Sequence, residues 1–370
     1  MNISSTFIET AARWSGGPAS VKDASTLGII ASGTHLSELH RDSFTLIPGT
    51  KLKSALERDD PISALRGEIA PSGHHPPGIE TLVHYTIPHR YLVQLQTTRV
   101  AGLVAGKDGK KAAHTLFGDD MVWIPVTPPD NRLLRAVQDA VQHEDAKPTR
   151  RPFLFLMQNH GMLVGGDSPE EVTRRCEEAE AAIGGALVRT PNLSPMQKDS
   201  DGLIELNDTV RRAFAETRAA HGVALSPPLA TACVNPEIAG RIASAAAFTP
   251  LEAAFLRDHL VHLGRNLCYV PRHNDLMAPP ALQADVLHAV HDFQSLHDAA
   301  PRVVAVEQMG AVIVGEDEAE LAVCCSAFES ALEIACYAES FGGVQPLSAE
   351  YIDALIEIHR EYGLFILPAG

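Results

Sequence analysis

Short aliphatic runs bounded by Gly, Pro or Asp alternate with stretches of helical period along the first half of the chain. "TLGIIASGT" reads as a strand ending in a tight turn, and "SFTLIPGTKLKSAL" as a strand leading into a helix. "RYLVQLQ", "AGLVAG" and "DMVWIPV" are expected strands, and "NRLLRAVQDAVQHE" has the apolar spacing of a helix. "RPFLFLMQNHGMLVGG" predicts a hairpin, and Ser168–Pro169 then signal a helix start, with Glu170 and Glu171 favourable at its positive end. This alternation predicts an α/β fold.

A polar connector, "TPNLSPMQKDSDG", suggests a boundary, with one domain over 1–195 and a second region over 206–370. The second region contains a degenerate copy of the hairpin and helix, spanning 302–340. Aligning "RVVAVEQMGAVIVGEDEAELA" with "FLFLMQNHGMLVGGDSPEEV" puts Gly161 on Gly310, Gly166 on Gly315, Glu171 on Glu320 and His160 on Met309. Only the first copy keeps a polar side chain at the turn.

Composition narrows the function. The chain has 370 residues and a net charge of −16, which argues against a nucleic-acid binder needing a basic face. No Lys/Arg run suited to an anionic membrane, no secretory leader pattern and no unbroken apolar span are seen. Six scattered cysteines without a C-x-x-C pair read as free thiols in a reducing compartment, so a soluble, cytoplasmic protein is expected. No G-x-G-x-x-G follows a strand, so no NAD site is expected.

The candidate chemistry lies in "GIETLVHYTIPHRYLVQLQ" and "QNHGMLVGG". Gln94 and Gln96 stand two apart on a strand and so share a face. Together with "WSGGPASVKD", "ASGTHLSEL" and "LFGDDMVWIPVTPP", these segments resemble the class II aldolase/adducin superfamily over most of residues 12 to 185. The resemblance is nearest to the aldolase part of bifunctional rhamnulose-1-phosphate aldolase/alcohol dehydrogenase proteins. It implies a central, largely antiparallel sheet covered by helices, and a homo-oligomer, commonly a tetramer. It also implies a divalent metal, usually zinc, held by a His-x-His pair and a His in an Asn-His-Gly turn, beside an acid/base Glu. A cation there polarises a ketone and stabilises the enediolate released by aldol cleavage, while a carboxylate moves the proton.

Glu80 stands at the position of that Glu and His160 in the turn, and these two are the candidate catalytic residues. Gln94 and Gln96 replace the His-x-His pair. With His160 they would make a weak site for Zn, Mn or Mg, or none, because amides bind zinc far less well than imidazole. Gly17, Ser20, Ser32, Gly33 and Asn159, with the two glutamines, are the candidate substrate-binding residues. Gly17-Pro18 replaces the family's Gly-Asn at the expected phosphate-binding turn, Gly16–Ser20, and Gly78 replaces a Ser.

Other residues carry weaker expectations. Lys22 reads as an exposed lysine or a partner for an anionic substrate, and His84 as a structural residue, an orienter of Glu80 or a second base. His74 and His75 read as rim histidines, and Trp123 and Pro125 as core. The pairs His259/His262 and His288/His291 read as solvated helix faces, with a supporting role for His259 left open. Two functions therefore stand side by side. One is a class II aldolase-like lyase acting on a small hydroxy-carbonyl or sugar-phosphate-type substrate. The other is a non-catalytic, adducin-like binding or assembly protein.

Overall fold

The computed structural model describes residues 3–30, 39–68, 79–145, 151–196, 200–220, 228–272 and 279–362. Ser32, Gly33, His74, His75 and Gly78 lie outside them. Contacts divide the chain into two units, Met1–Leu187 with Ala349–Leu364 and Val188–Ser348 with Phe365–Gly370.

The first unit runs α1 (Ser5–Trp14), β1 (Ser15–Lys22), β2 (Thr26–Ile30), β3 (Phe44–Pro48), α2 (Gly49–Leu56), α3 (Pro61–Glu68), α4 (Ile79–Thr86), β4 (Tyr91–Leu95) and α5 (Thr98–Val104). It continues with α6 (Gly109–Phe117), β5 (Met121–Ile124), α7 (Asn131–Asp145), β6 (Leu154–Met157), β7 (Gly161–Gly166) and α8 (Pro169–Gly185). Its sheet has the order β3-β2-β1-β4-β7-β6-β5 and is antiparallel except between β5 and β6. The expected α/β class with a largely antiparallel sheet is therefore the observed one. Leu52, Leu65, Leu82, Leu92, Val137 and Phe155 share a core under α2, α3, α4 and α7. On the opposite face α1 and α8 pack on β4, and Phe7 meets Tyr91 at 4.9 Å between ring centroids.

Two local expectations fail. "AGLVAG" is helical within α5, because Thr97 caps it, its side chain accepting from the Val100 N–H at 3.3 Å. Val100 to Val104 are all buried, so the helix shows no polar face and reads as an unbroken apolar run. Pro125 is exposed just past the end of β5, whereas Trp123 is half-buried.

The second unit comprises α9 (Ser200–Ala220), β8 (Leu229–Cys233), α10 (Pro236–Arg241), α11 (Ala245–Glu252), α12 (Arg257–Leu263), β9 (Cys268–Val270), α13 (Pro279–His297), β10 (Val303–Val306), β11 (Gly310–Gly315) and α14 (Glu318–Ala338). Its sheet order is β8-β11-β10-β9, with β9 and β10 parallel. Phe214, Val286, Val290 and Val312 lie in its core. The last helix, α15 (Ala349–Tyr362), groups with the first unit. The stretch Glu318–Phe341 is long and apolar enough to cross a membrane by length and composition. Here α14 packs on β11 and α12.

The order β8-β11-β10-β9 mirrors β4-β7-β6-β5, strand for strand. Met157 pairs with Gly161 as Val306 pairs with Gly310. Asn159 and Gln308 both take positive φ, 57° and 59°. The His160 N–H donates to the Met157 carbonyl and the Met309 N–H to the Val306 carbonyl, at 3.0 and 3.1 Å. Ser168 and Asp317 cap the helices that follow, each accepting from the N–H three residues on.

Candidate functional site

The site is built where β1 breaks step with β4. Ser15 pairs with Leu95 and Ala19 with Val93, so Gly16, Gly17 and Pro18 stand opposite the single residue Gln94. A bulge of this kind bends a strand and redirects side chains, and Pro18, which has no N–H to contribute to a ladder, is tolerated there. The expected phosphate-binding turn at Gly16–Ser20 is thus a bulged segment within strand β1. Its Ser15 hydroxyl donates to the Gly17 carbonyl.

Both glutamines turn onto glycines. A Cβ on Gly17 would lie 2.9 Å from Gln94 Cδ, and one on Gly16 would lie 2.6 Å from Gln96 Cβ. A Cβ on Gly161 would lie 2.9 Å from Gln96 Cγ, and Gly161 also needs its φ of 147°. Gln96 Nε2 donates to the His160 carbonyl at 3.1 Å. Gln94 is buried, Gln96 and His160 are half-buried, and Gly16 is exposed. The structure therefore brings together Gly16, Gly17, Gln94, Gln96, His160 and Gly161. Asn159 is buried next to them in the turn, its N–H donating to the Val104 carbonyl at 3.1 Å.

Glu80 is half-buried in the first turn of α4. That helix packs through Leu82 and Val83 into the same core as Leu92 of β4. Strand alternation places Leu92 and Gln94 on one face of β4, the face that α4 covers.

The other polar residues of this region have structural partners. Ser20 is buried with its hydroxyl 2.7 Å from His84 Nδ1. His84 is fully buried and its Nε2 has no hydrogen-bond partner, so burial first and then the nearby Lys22 push its pKa down to about 3. Lys22 is neither exposed nor aimed at a substrate. Its ammonium donates to the carbonyls of His84 (2.8 Å), Tyr85 (2.9 Å) and Ile87, at and just beyond the C-terminal end of α4. Burial, and then Arg151, push its pKa down to about 7. His89 is buried with Nε2 2.8 Å from the Pro152 carbonyl, and its ring fills the space above Gly165.

The sequence reading missed the glycine–glutamine packing and the role of Lys22. The sequence carries only a faint signal for the latter, Ser20 and Lys22 being polar residues two apart and so on one side of an extended segment. In the second unit His259 is not on a solvated face. It is buried, with Phe255 edge-on at 4.4 Å and neither ring nitrogen paired. His288 and His291 are exposed, with side-chain exposures of 79% and 63%.

Residues 9–186 match the family described as Class II Aldolase and Adducin N-terminal domain. That stretch is a class II aldolase-like domain. A curated relative, "Uncharacterized oxidoreductase YuxG" of Bacillus subtilis (strain 168), is 21% identical over 90% of the chain. The chain spans about half the length of that relative, 52%. Among solved structures, the N-terminal class II aldolase domain of a conserved Thermoplasma acidophilum protein is 18% identical. The match covers 50% of this chain and 95% of that one, with a TM-score of 0.42. An L-fuculose 1-phosphate aldolase is 16% identical over 49% of this chain and 85% of its own, with a TM-score of 0.34.

Class II aldolases are typically dependent on a divalent metal. The donors at this site do not fit one well. Among the described residues no three His, Cys, Asp or Glu side chains converge. Gln96 commits its Nε2 to the His160 carbonyl, and amide oxygens bind zinc poorly. The aldolase-like domain keeps a carboxylate and an imidazole in this region, with two amides where metal-binding imidazoles are expected.

Proposed function

We propose that the chain is a carbon–carbon lyase of class II aldolase type, acting on a small hydroxy-carbonyl or sugar-phosphate-type substrate in the cytoplasm as a homo-oligomer. The observation that supports it is the convergence of Gln94, Gln96 and His160 at one end of β4, with Glu80 carried by the helix over the same face. In aldol cleavage a base removes the proton from the hydroxyl β to a carbonyl. The new carbonyl forms as the C–C bond breaks, and the electron pair moves to the α-carbon and onto the original carbonyl oxygen. Glu80 is assigned as the base, and later as the acid that protonates the α-carbon. His160 and the Gln94 amide are assigned as donors to the developing oxyanion, with Gly17 beside them and Asn159 buried in the turn behind.

The test is a panel of ketose 1-phosphates and hydroxyketones assayed with Glu80→Gln. Loss of turnover by at least about 100-fold with an unchanged Tm is expected. Equal turnover, or a collapse in Tm, would remove Glu80 from the chemistry.

One observation favours a second reading. Gln94 and Gln96 lie directly on Gly16, Gly17 and Gly161, so the chain's own side chains occupy this space. A non-catalytic, adducin-like binding protein would then show no turnover with any member of the panel.

A further inference from the structure

We propose that Gln96 is a positioning residue, whose amide fixes the main chain of His160 and so the direction in which its imidazole leaves the β6–β7 turn. This rests on the reading of His160 as part of the site, but its test does not depend on turnover.

Three contacts carry the inference. Gln96 Nε2 donates to the His160 carbonyl at 3.1 Å. The stem of the same side chain lies against Gly161, where a Cβ would come within 2.9 Å of Cγ. The Gln96 Cβ also lies 2.6 Å from where a Cβ on Gly16 would be, which ties the bulge of β1 to the turn. One side chain thus spans β1, β4 and the turn that carries the imidazole.

The second unit supplies an internal control. Its β8–β11 ladder pairs Leu229 with Gly315 and Cys233 with Ala311, as Tyr91 pairs with Gly166 and Leu95 with Met162. The residue after β8 that corresponds to Gln96 is Val234. Valine has no hydrogen to donate from its side chain. Its hairpin nevertheless forms the same turn, with Gln308 at φ 59° and the Met309 N–H on the Val306 carbonyl. A Gln at this position is therefore not needed to make the turn. What distinguishes the first turn is the residue it presents, His160 in place of Met309. A hydrogen bond dispensable for folding, in the copy that carries the imidazole, orients that imidazole.

The experiment uses protein labelled with 13C-carbonyl histidine and 15N glycine. The sequence has two His–Gly pairs, His160–Gly161 and His221–Gly222, so a carbonyl-to-amide correlation spectrum reads His160 against an internal reference. Gln96→Val, which copies the second unit, and Gln96→Met, which keeps the length, both remove the donor. The His160–Gly161 peak is expected to move in both variants, with the His221–Gly222 peak unmoved and Tm changed by no more than about 5 °C. In a second sample labelled at histidine 13Cε1, the ring signal of His160 should move with it. A His160 ring signal unchanged in both variants would overturn the proposal, because the lost hydrogen bond would then not bear on the imidazole. Unfolding of both variants would also overturn it, because the amide would then be holding the fold. A positioning result with an inactive parent would leave this inference standing and count against the lyase.

Discussion

Lys22 illustrates how a charge can be used up inside a fold. Its ammonium takes the His84 and Tyr85 carbonyls in the last turn of α4, and shares the Ile87 carbonyl with the His89 N–H. Lys22→Met keeps the aliphatic stem and removes the donor, and should cost about 1–3 kcal/mol in chemical denaturation. An unchanged midpoint would mean that water replaces the amine. His84 next to it sets a pH dependence. The unfolded imidazole takes a proton below about 6.5, whereas the folded one resists until about 3 because it is buried and lies near Lys22. Between those values the unfolded state binds more protons, so stability is full above the unfolded value and falls as pH drops through the window. Thermal melts from pH 7 to pH 4 should show this loss, and His84→Gln should flatten it. Of the residues at the site, Glu80, His160 and the glutamine pair could be singled out from their spacing and from the resemblance. Their mutual packing could not, because glycine complementarity to a particular side chain depends on the bulge of β1, and a two-residue slip leaves no periodic trace.

Among elements, helix starts were legible, and so were fully buried strands, but a short fully buried helix was not. Ser168 followed by Pro169 is a local chemical signal, and the structure places that hydroxyl 3.2 Å from the Glu171 N–H. The corresponding cap in the second unit is Asp317, 2.8 Å from the Glu320 N–H. Ser168→Ala and Asp317→Ala should each cost about 1 kcal/mol, read by urea midpoint. A loss for one and not the other would show that the two hairpin–helix elements are not held alike. Most of the strands could be read from their short β-branched runs and flanking turn residues. Helix α5 could not, since its described residues from Val100 to Val104 are all buried and length alone does not separate a short buried helix from a strand. His259 was misread for a related reason. Its spacing from His262 puts both on one side of α12, but burial there comes from Phe255 and from the packing of α14 on α12, a partner distant in sequence.

For the molecule as a whole, two separate cores predict two separable losses of structure. One is built on Leu92 and Phe155, the other on Phe214 and Val286. Phe214→Ala should cost about 3–5 kcal/mol and lower one calorimetric transition while leaving the other in place. A single transition shifted as a unit would mean that the cores melt together. The second unit also holds a knot of charge, in which Arg189 and Arg241 both pair with Glu237 and Glu339. Glu237 is buried, so removing it leaves Arg189 and the buried Arg241 sharing Glu339 alone, a cost larger than the pair's own contribution.

The return of α15 to the first unit carries a consequence for how the chain is made. Residues 188–348 form the second unit, yet Ala349–Leu364 contact the first. Tyr351, Ile352, Leu355 and Ile358 are all buried, at the spacing of one helical stripe. On the ribosome the aldolase-like half emerges first but lacks this helix until the second unit has been synthesised, at about 5–20 residues per second. For those seconds the nascent first unit exposes the surface that α15 will cover. Translation that stops short of Ala349 would therefore leave that surface of the first unit uncovered, although every strand of its sheet has already been made.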